Sequence, residues 1–117
     1  MWRQAVESQW SGLPVWVHGD FAAPNLLVRN GRLSGVIDFG QLAAGDLACD
    51  LVIAWTFLAG KSRQVFRDEV DLDRATWIRG RGWALWNALA VVAAHQKGDD
   101  ARITAERTIR HVLEEAD

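Results

Sequence analysis

Along this chain apolar residues recur with two different periods, and the change of texture falls near Phe39. Ahead of it, short apolar stretches alternate with turn formers. Trp2 to Trp10 reads as the end of a helix, which Ser11-Gly12-Leu13-Pro14 breaks before an extended Val15 to Val17. A polar loop follows, from His18 to Asn25. Leu26–Arg29 and Arg32–Ile37 then flank Asn30-Gly31, a pair that specifies a two-residue hairpin turn because both positions can take positive φ. From Asp46 the period becomes helical: Leu47, Leu51, Ala54, Trp55 and Leu58 recur every three or four residues until Gly60 stops the run. A second helix runs from about Asp73 to Arg79, and it joins the apolar stretch Trp83–His95 only if Gly80 and Gly82 are tolerated between them. Lys97-Gly98-Asp99-Asp100 ends that segment. A last helix, starting near Asp99 or Asp100, turns Ile103, Ile109, Val112 and Leu113 inward and leaves an acidic end exposed. The pattern predicts an α+β, mostly helical fold, a small hairpin on four or five helices.

Composition narrows the function classes. The chain has 117 residues, 50% apolar and 24% charged, with 13 Lys and Arg against 15 Asp and Glu. That is ordinary for one globular domain and gives no basic excess with which to capture nucleic acid or an anionic membrane. The longest uncharged run, 82–96, falls short of the roughly 20 residues a membrane span needs. The opening residues, Met1 to Ser8, have no apolar leader core, so a secretory signal is not expected. Cys49 is the single cysteine, which excludes an internal disulfide or a CxxC pattern and suits a reducing cytoplasm. Seven Trp and no Tyr suggest large core fillers whose indole N–H groups need partners.

Candidate chemistry lies in His18-Gly19-Asp20, Asn25 and Asp38. In a regular hairpin turning at Asn30-Gly31, Arg29 faces Arg32, Leu27 faces Ser34 and Asn25 falls opposite Val36. Asp38, two residues further, would share the face of Asn25 as a diagonal neighbour. One carboxylate and one amide make a magnesium-like donor set, open to water or phosphate oxygens. Asp20, in the same loop, could serve as a base. Singly, each of these residues also suits the satisfaction of loop backbone groups. Their convergence through a hairpin of the right parity favours the chemical reading.

These stretches, His18-Gly19-Asp20, Asn25-Leu26-Leu27-Val28, Gly35-Val36-Ile37-Asp38-Phe39-Gly40 and Gly45-Asp46 to Asp50-Leu51, resemble the aminoglycoside phosphotransferase family, which has a protein-kinase-like fold. The likeness is detailed over residues 15–51, and 77–86 also looks like the family's helical segment. It implies that Asp20 is the catalytic aspartate, which orients and deprotonates the acceptor hydroxyl, and that Asn25 and Asp38 bind Mg²⁺, which holds the phosphates of ATP as co-substrate. His18 would brace the loop, and Asp50 would accept hydrogen bonds from it. Asp46, on the same side of its helix as Asp50, reads as an N-cap whose loss would cost less than that of Asp50.

A kinase-like enzyme also needs a nucleotide-covering lobe with a Gly-rich turn and a strand lysine, and nothing of that kind precedes His18. The expectation is therefore a carboxyl-terminal lobe alone over residues 1–117, with the catalytic loop and metal hairpin at 15–40 and a helical subdomain at 46–117. Its parent would transfer the ATP γ-phosphate to a small hydroxyl-bearing substrate, and the isolated lobe would be nearly inactive. A non-catalytic binding or assembly domain is the alternative. In either case, the face left bare by an absent lobe could take a second copy as a homodimer. A metal-dependent hydrolase lacks the additional His and Asp ligands that two-metal sites display.

Overall fold

Small residues decide how the helices of this chain cross. The computed structural model describes residues 1–115 and places helix α1 at Trp2–Glu7, strands β1 at Val15–Val17, β2 at Leu26–Arg29, β3 at Arg32–Val36 and β4 at Ala43–Gly45. Helices α2 (Ile53–Thr56), α3 (Gly60–Val70), α4 (Arg74–Ala94) and α5 (Asp100–Glu114) follow, with 3-10 turns at Ala23–Asn25 and Leu47–Val52. The fold is α+β with small antiparallel sheets. Helix α4 runs unbroken through both glycines. A Cβ on Gly80 would lie 2.9 Å from Leu51 Cβ and 3.2 Å from the Ala48 carbonyl oxygen, and one on Gly82 would lie 2.5 Å from Ala5 Cβ. Each glycine costs a helix about 1 kcal/mol against alanine. Here that cost lets the Leu47–Val52 turn and α1 approach the α4 backbone more closely than any side chain would permit.

The core forms around Trp55, which is fully buried among Leu51, Val52, Ala84, Leu85 and Val112. Its indole Nε1 donates to Glu115 Oε2 at 2.6 Å, and Trp77 meets it edge-on with centroids 6.0 Å apart. Arg67 pairs with Glu115 and lies over the Trp77 ring, 4.8 Å from its centroid. The acidic end expected to be exposed is thus partly drawn inward, because a buried indole N–H needs an acceptor; Asp117 lies outside the described residues. The tryptophans are not all core fillers, since Trp2, Trp16, Trp83 and Trp86 are exposed.

Other expectations are also corrected. Helix α1 ends at Glu7 rather than Trp10. The periodic run from Asp46 is a 3-10 turn leading into the four-residue α2, and Gly60, at φ 51°, opens α3 instead of ending a helix. Strand β4 pairs with β1 in the register Val15↔Gly45, Trp16↔Ala44 and Val17↔Ala43, a pairing that Ala-Ala-Gly gave no pattern to announce. The Asn30-Gly31 turn forms as expected, with φ of 51° and 74°. Its hairpin, however, pairs Arg29↔Arg32 and Val28↔Leu33 but then Leu27↔Gly35 and Leu26↔Val36. Ser34 is an extra, bulged residue whose Oγ donates to the Leu27 carbonyl at 3.1 Å.

Candidate active site

The His18–Asn25 loop leaves β1 at the buried Val17 and is held from below by Asp50. Asp50 Oδ2 accepts the His18 N–H at 2.8 Å and Oδ1 accepts the Gly19 N–H at 2.9 Å, so one half-buried carboxylate satisfies two consecutive backbone donors. Gly19 has φ +85°, and a Cβ there would come within 2.5 Å of the Gln41 carbonyl oxygen, so this position requires glycine. His18 is buried. Its Nδ1 accepts the Asp20 N–H at 3.1 Å, which requires the hydrogen to be on Nε2; Nε2 then donates to the Ile37 carbonyl at 2.8 Å. The ring also packs against Phe39 and Phe21, at 4.7 and 5.9 Å between centroids. Both polar atoms of the imidazole are thereby engaged by the backbone.

Asp20 is exposed at the end of this bracing, whereas Asn25 is buried. The Asn25 amide nitrogen donates to the Asp20 carbonyl at 2.8 Å and to Asp20 Oδ2 at 3.2 Å, which leaves Asn25 Oδ1 to accept from, or coordinate, something else. The Asn25 carbonyl accepts the Ile37 N–H at 2.9 Å. Ile37 is therefore fixed on one side by Asn25 and on the other by His18, and Asp38 follows it directly. Asp38 is exposed and left-handed, at φ 62°. This corrects the hairpin arithmetic. The Ser34 bulge places Asn25 opposite Ile37, not Val36, and β3 ends before Asp38, so the two are not diagonal neighbours on a strand face. Asp38 instead follows directly on Ile37, whose backbone is tied to Asn25 and to His18.

Among the described residues no group of three or more His, Cys, Asp or Glu suits a metal ion. The donors available to a cation are hard oxygens, the Asn25 amide and the Asp38 carboxylate, with the exposed Asp20 carboxylate beside Asn25. That set fits Mg²⁺, which accepts few protein ligands and keeps waters or phosphate oxygens in its remaining positions. It suits neither zinc nor a soft metal.

Asp46 caps the Leu47–Val52 turn, as expected, with Oδ1 accepting the Ala48 N–H at 3.1 Å. Asp46 has a second partner that the sequence pattern did not announce. Arg79 donates from Nε to Asp46 Oδ2 at 2.6 Å and from Nη2 to Oδ1 at 3.2 Å. Two arginines, Arg79 and Arg81, inside the otherwise apolar stretch 77–86 were the available signal, since a buried guanidinium needs acceptors, though nothing in the stretch says which. Asp46 and Asp50 do not share a side, because 3-10 geometry turns 120° per residue rather than 100°. One reaches α4 and the other the loop. Cys49, between them, is a slow nucleophile at neutral pH: burial and then the neighbouring carboxylates of Asp50 and Asp46 push its thiol up to about 11.

Known proteins resemble the chain over part of its length. A model of the phosphotransferase enzyme family matches residues 1–95. An aminoglycoside 3'-phosphotransferase of Escherichia coli is 42% identical over 45 residues, 38% of this chain and 17% of that protein. One of Niallia circulans is 42% identical over 40 residues, 34% of this chain and 15% of that protein. The uncharacterized Bacillus subtilis (strain 168) protein YcbJ is 32% identical over 63 residues, 51% of this chain and 21% of that protein. The matches thus span about a fifth or less of these relatives. No solved structure matches at comparable significance.

Proposed function

The chain belongs to the phosphotransferase enzyme family, and from that premise we propose that it carries the catalytic loop of a small-molecule kinase that moves the γ-phosphate of ATP to a substrate hydroxyl. Asp20 takes the hydroxyl proton as the oxygen forms its bond to phosphorus and the bond to the ADP oxygen breaks. Asn25 and Asp38 are the residues that would hold Mg²⁺, whose chemistry when bound is to neutralise the phosphate charge. Asp50 and His18 keep the loop in place from beneath. The observation that carries this reading is the engagement of Asn25. Its nitrogen is spent on the candidate base and its carbonyl on the residue preceding Asp38, so its remaining oxygen is free for a cation.

Phosphoryl transfer is catalysed mainly by positioning and charge neutralisation around the whole triphosphate. The two lysines, Lys61 and Lys97, lie in α3 and in the loop before α5, so no strand lysine reaches for phosphate. We therefore place residues 15–40 and 46–117 in the acceptor-side lobe, with the nucleotide-covering groups supplied by chain beyond these residues. Turnover by the 117 residues alone should be at background.

The test pairs two measurements on this chain: ADP release from Mg²⁺–ATP with a panel of small alcohols, and Mn²⁺ binding followed by titration. The expected result is background turnover together with Mn²⁺ binding that Asp38→Ala weakens at least about tenfold. Robust transfer would overturn the dependence on groups outside the chain. Mn²⁺ binding indifferent to both Asp38→Ala and Asn25→Leu would overturn the kinase reading.

A second reading, a binding or assembly domain, is favoured by the apolar residues exposed around the two small sheets, where Trp16 is 78% and Leu33 61% exposed. A second copy of the chain could cover them as a homodimer. Sedimentation of the wild-type chain and of Trp16→Ser decides this: a dimer dissociated by the substitution supports self-association, and a monomer at high concentration contradicts it.

A further inference from the structure

We propose that Arg79 is a positioning residue for the candidate catalytic loop, acting through Asp46 and the Leu47–Val52 turn on the carboxylate of Asp50; the inference rests on the kinase reading of that loop. Arg79 projects from α4 and is only 8% exposed. Its fork grips both Asp46 oxygens, at 2.6 and 3.2 Å, and the guanidinium is itself steadied by Thr76 Oγ1 at 3.2 Å and, more weakly, by Ser8 Oγ at 3.4 Å. Thr76 is in turn fixed by the α4 N-cap, Asp73, whose Oδ1 accepts its backbone N–H at 3.0 Å. The guanidinium thus has one available orientation.

The turn it holds needs holding. A 3-10 segment has poorer hydrogen bonds than an α-helix and rarely persists beyond a few residues unaided. This one spans six residues. Asp46 closes its first turn by accepting the Ala48 N–H at 3.1 Å while gripped by Arg79, and one turn later Asp50 emerges towards His18 and Gly19. In the same turn Ala48 and Leu51 lie directly on Gly80, the residue next to Arg79. The turn therefore works as a short connector, with α4 clamped to one end and the loop hung from the other. Lysine could keep the charge at position 79 but not the two-pronged grip, so it should keep the fold and lose the register.

The test is residue-resolved amide hydrogen exchange on the 117-residue chain and its Arg79→Lys and Asp46→Asn variants. The expected result is that exchange at the His18 and Gly19 amides quickens in both variants at least about tenfold more than exchange at the α5 amides of Ala105, Thr108 and Val112, which report any loss of global stability. A merely structural arginine would quicken all five together, and that outcome overturns the proposal. So would loop amides that do not respond. Should Arg79→Lys fail to fold, Asp46→Asn decides alone, since it keeps the side-chain volume and one capping oxygen. Because the readout needs neither nucleotide nor metal, responsive loop amides in a chain that binds no Mn²⁺ would sink the kinase reading and leave the positioning role standing.

Discussion

Two aspartates four residues apart do different work, and their substitutions should separate stability from loop order. Asp50→Ala strands the His18 and Gly19 N–H groups, at about 1–3 kcal/mol. Water reaches this half-exposed carboxylate position, so the lower part of that range is expected. Asp46→Ala removes a cap and also leaves the buried Arg79 guanidinium without its acid, which together cost about 3–5 kcal/mol. The ranking expected from capping alone is therefore reversed for stability, because the partner lies 33 positions away along the chain. Urea unfolding of both variants checks it, and an Asp46→Ala change milder than Asp50→Ala would contradict it. Cys49 supplies a pH signature. With its thiol near 11, burial first and the two carboxylates second, only the thiolate minority reacts. The higher basicity partly compensates in nucleophilicity, so alkylation at pH 8 should run roughly ten times slower than that of free cysteine, and slower still where burial hinders access. Its rate should keep climbing above pH 9. A plateau near pH 8.5 would show an ordinary exposed thiol.

At the scale of elements, α4 is where local propensity and packing disagree most. Alanine is the better helix former by about 1 kcal/mol, yet Gly80→Ala puts a Cβ 2.9 Å from Leu51 Cβ, against the turn that carries Asp46 and Asp50. Overpacking should win, lowering stability by about 1–3 kcal/mol, and a raised urea midpoint would contradict this. Gly82→Ala meets Ala5 on the six-residue α1, which can shift, so its cost should be smaller. The same conflict explains what the sequence could and could not disclose. Asn30-Gly31 specified its turn because few other pairs tolerate two positive φ values. The Ser34 bulge left no mark, since one inserted residue changes register without changing composition. Helix α3 escaped notice because Lys61 to Asp68 is almost wholly polar on its outer face, and Ala43–Gly45 has nothing of a strand's bulk. The glycines of α4 argued for a break only because helix propensity carries no information about what lies against the backbone.

For the molecule as a whole, the helical core around Trp55 serves as a platform and the two small sheets hold the candidate loop at its edge. The bracing of the candidate loop by His18 and Asp50 was legible in the sequence, whereas the placement of Asp38 relative to Asn25 was not. His18, Asp20, Asn25, Asp38 and Asp50 all sit in short, locally coded stretches, and the structure ties His18 to Asp50, Asp20 to Asn25, and Ile37 to both His18 and Asn25. Arg79 was not legible as part of that arrangement, because an ion pair between distant segments has no local pattern. On the kinase reading, Asn25 and Asp38, beside Asp20, form the cation-binding part of a phosphotransferase loop. The most direct test is to add substoichiometric Mn²⁺ to isotopically labelled chain and record which backbone amide signals broaden. Selective broadening is expected at Asp20, Asn25 and Ile37 to Phe39, abolished by Asp38→Ala. Broadening centred on other carboxylates, such as Asp68 or Glu106, or unaltered in that variant, would contradict it.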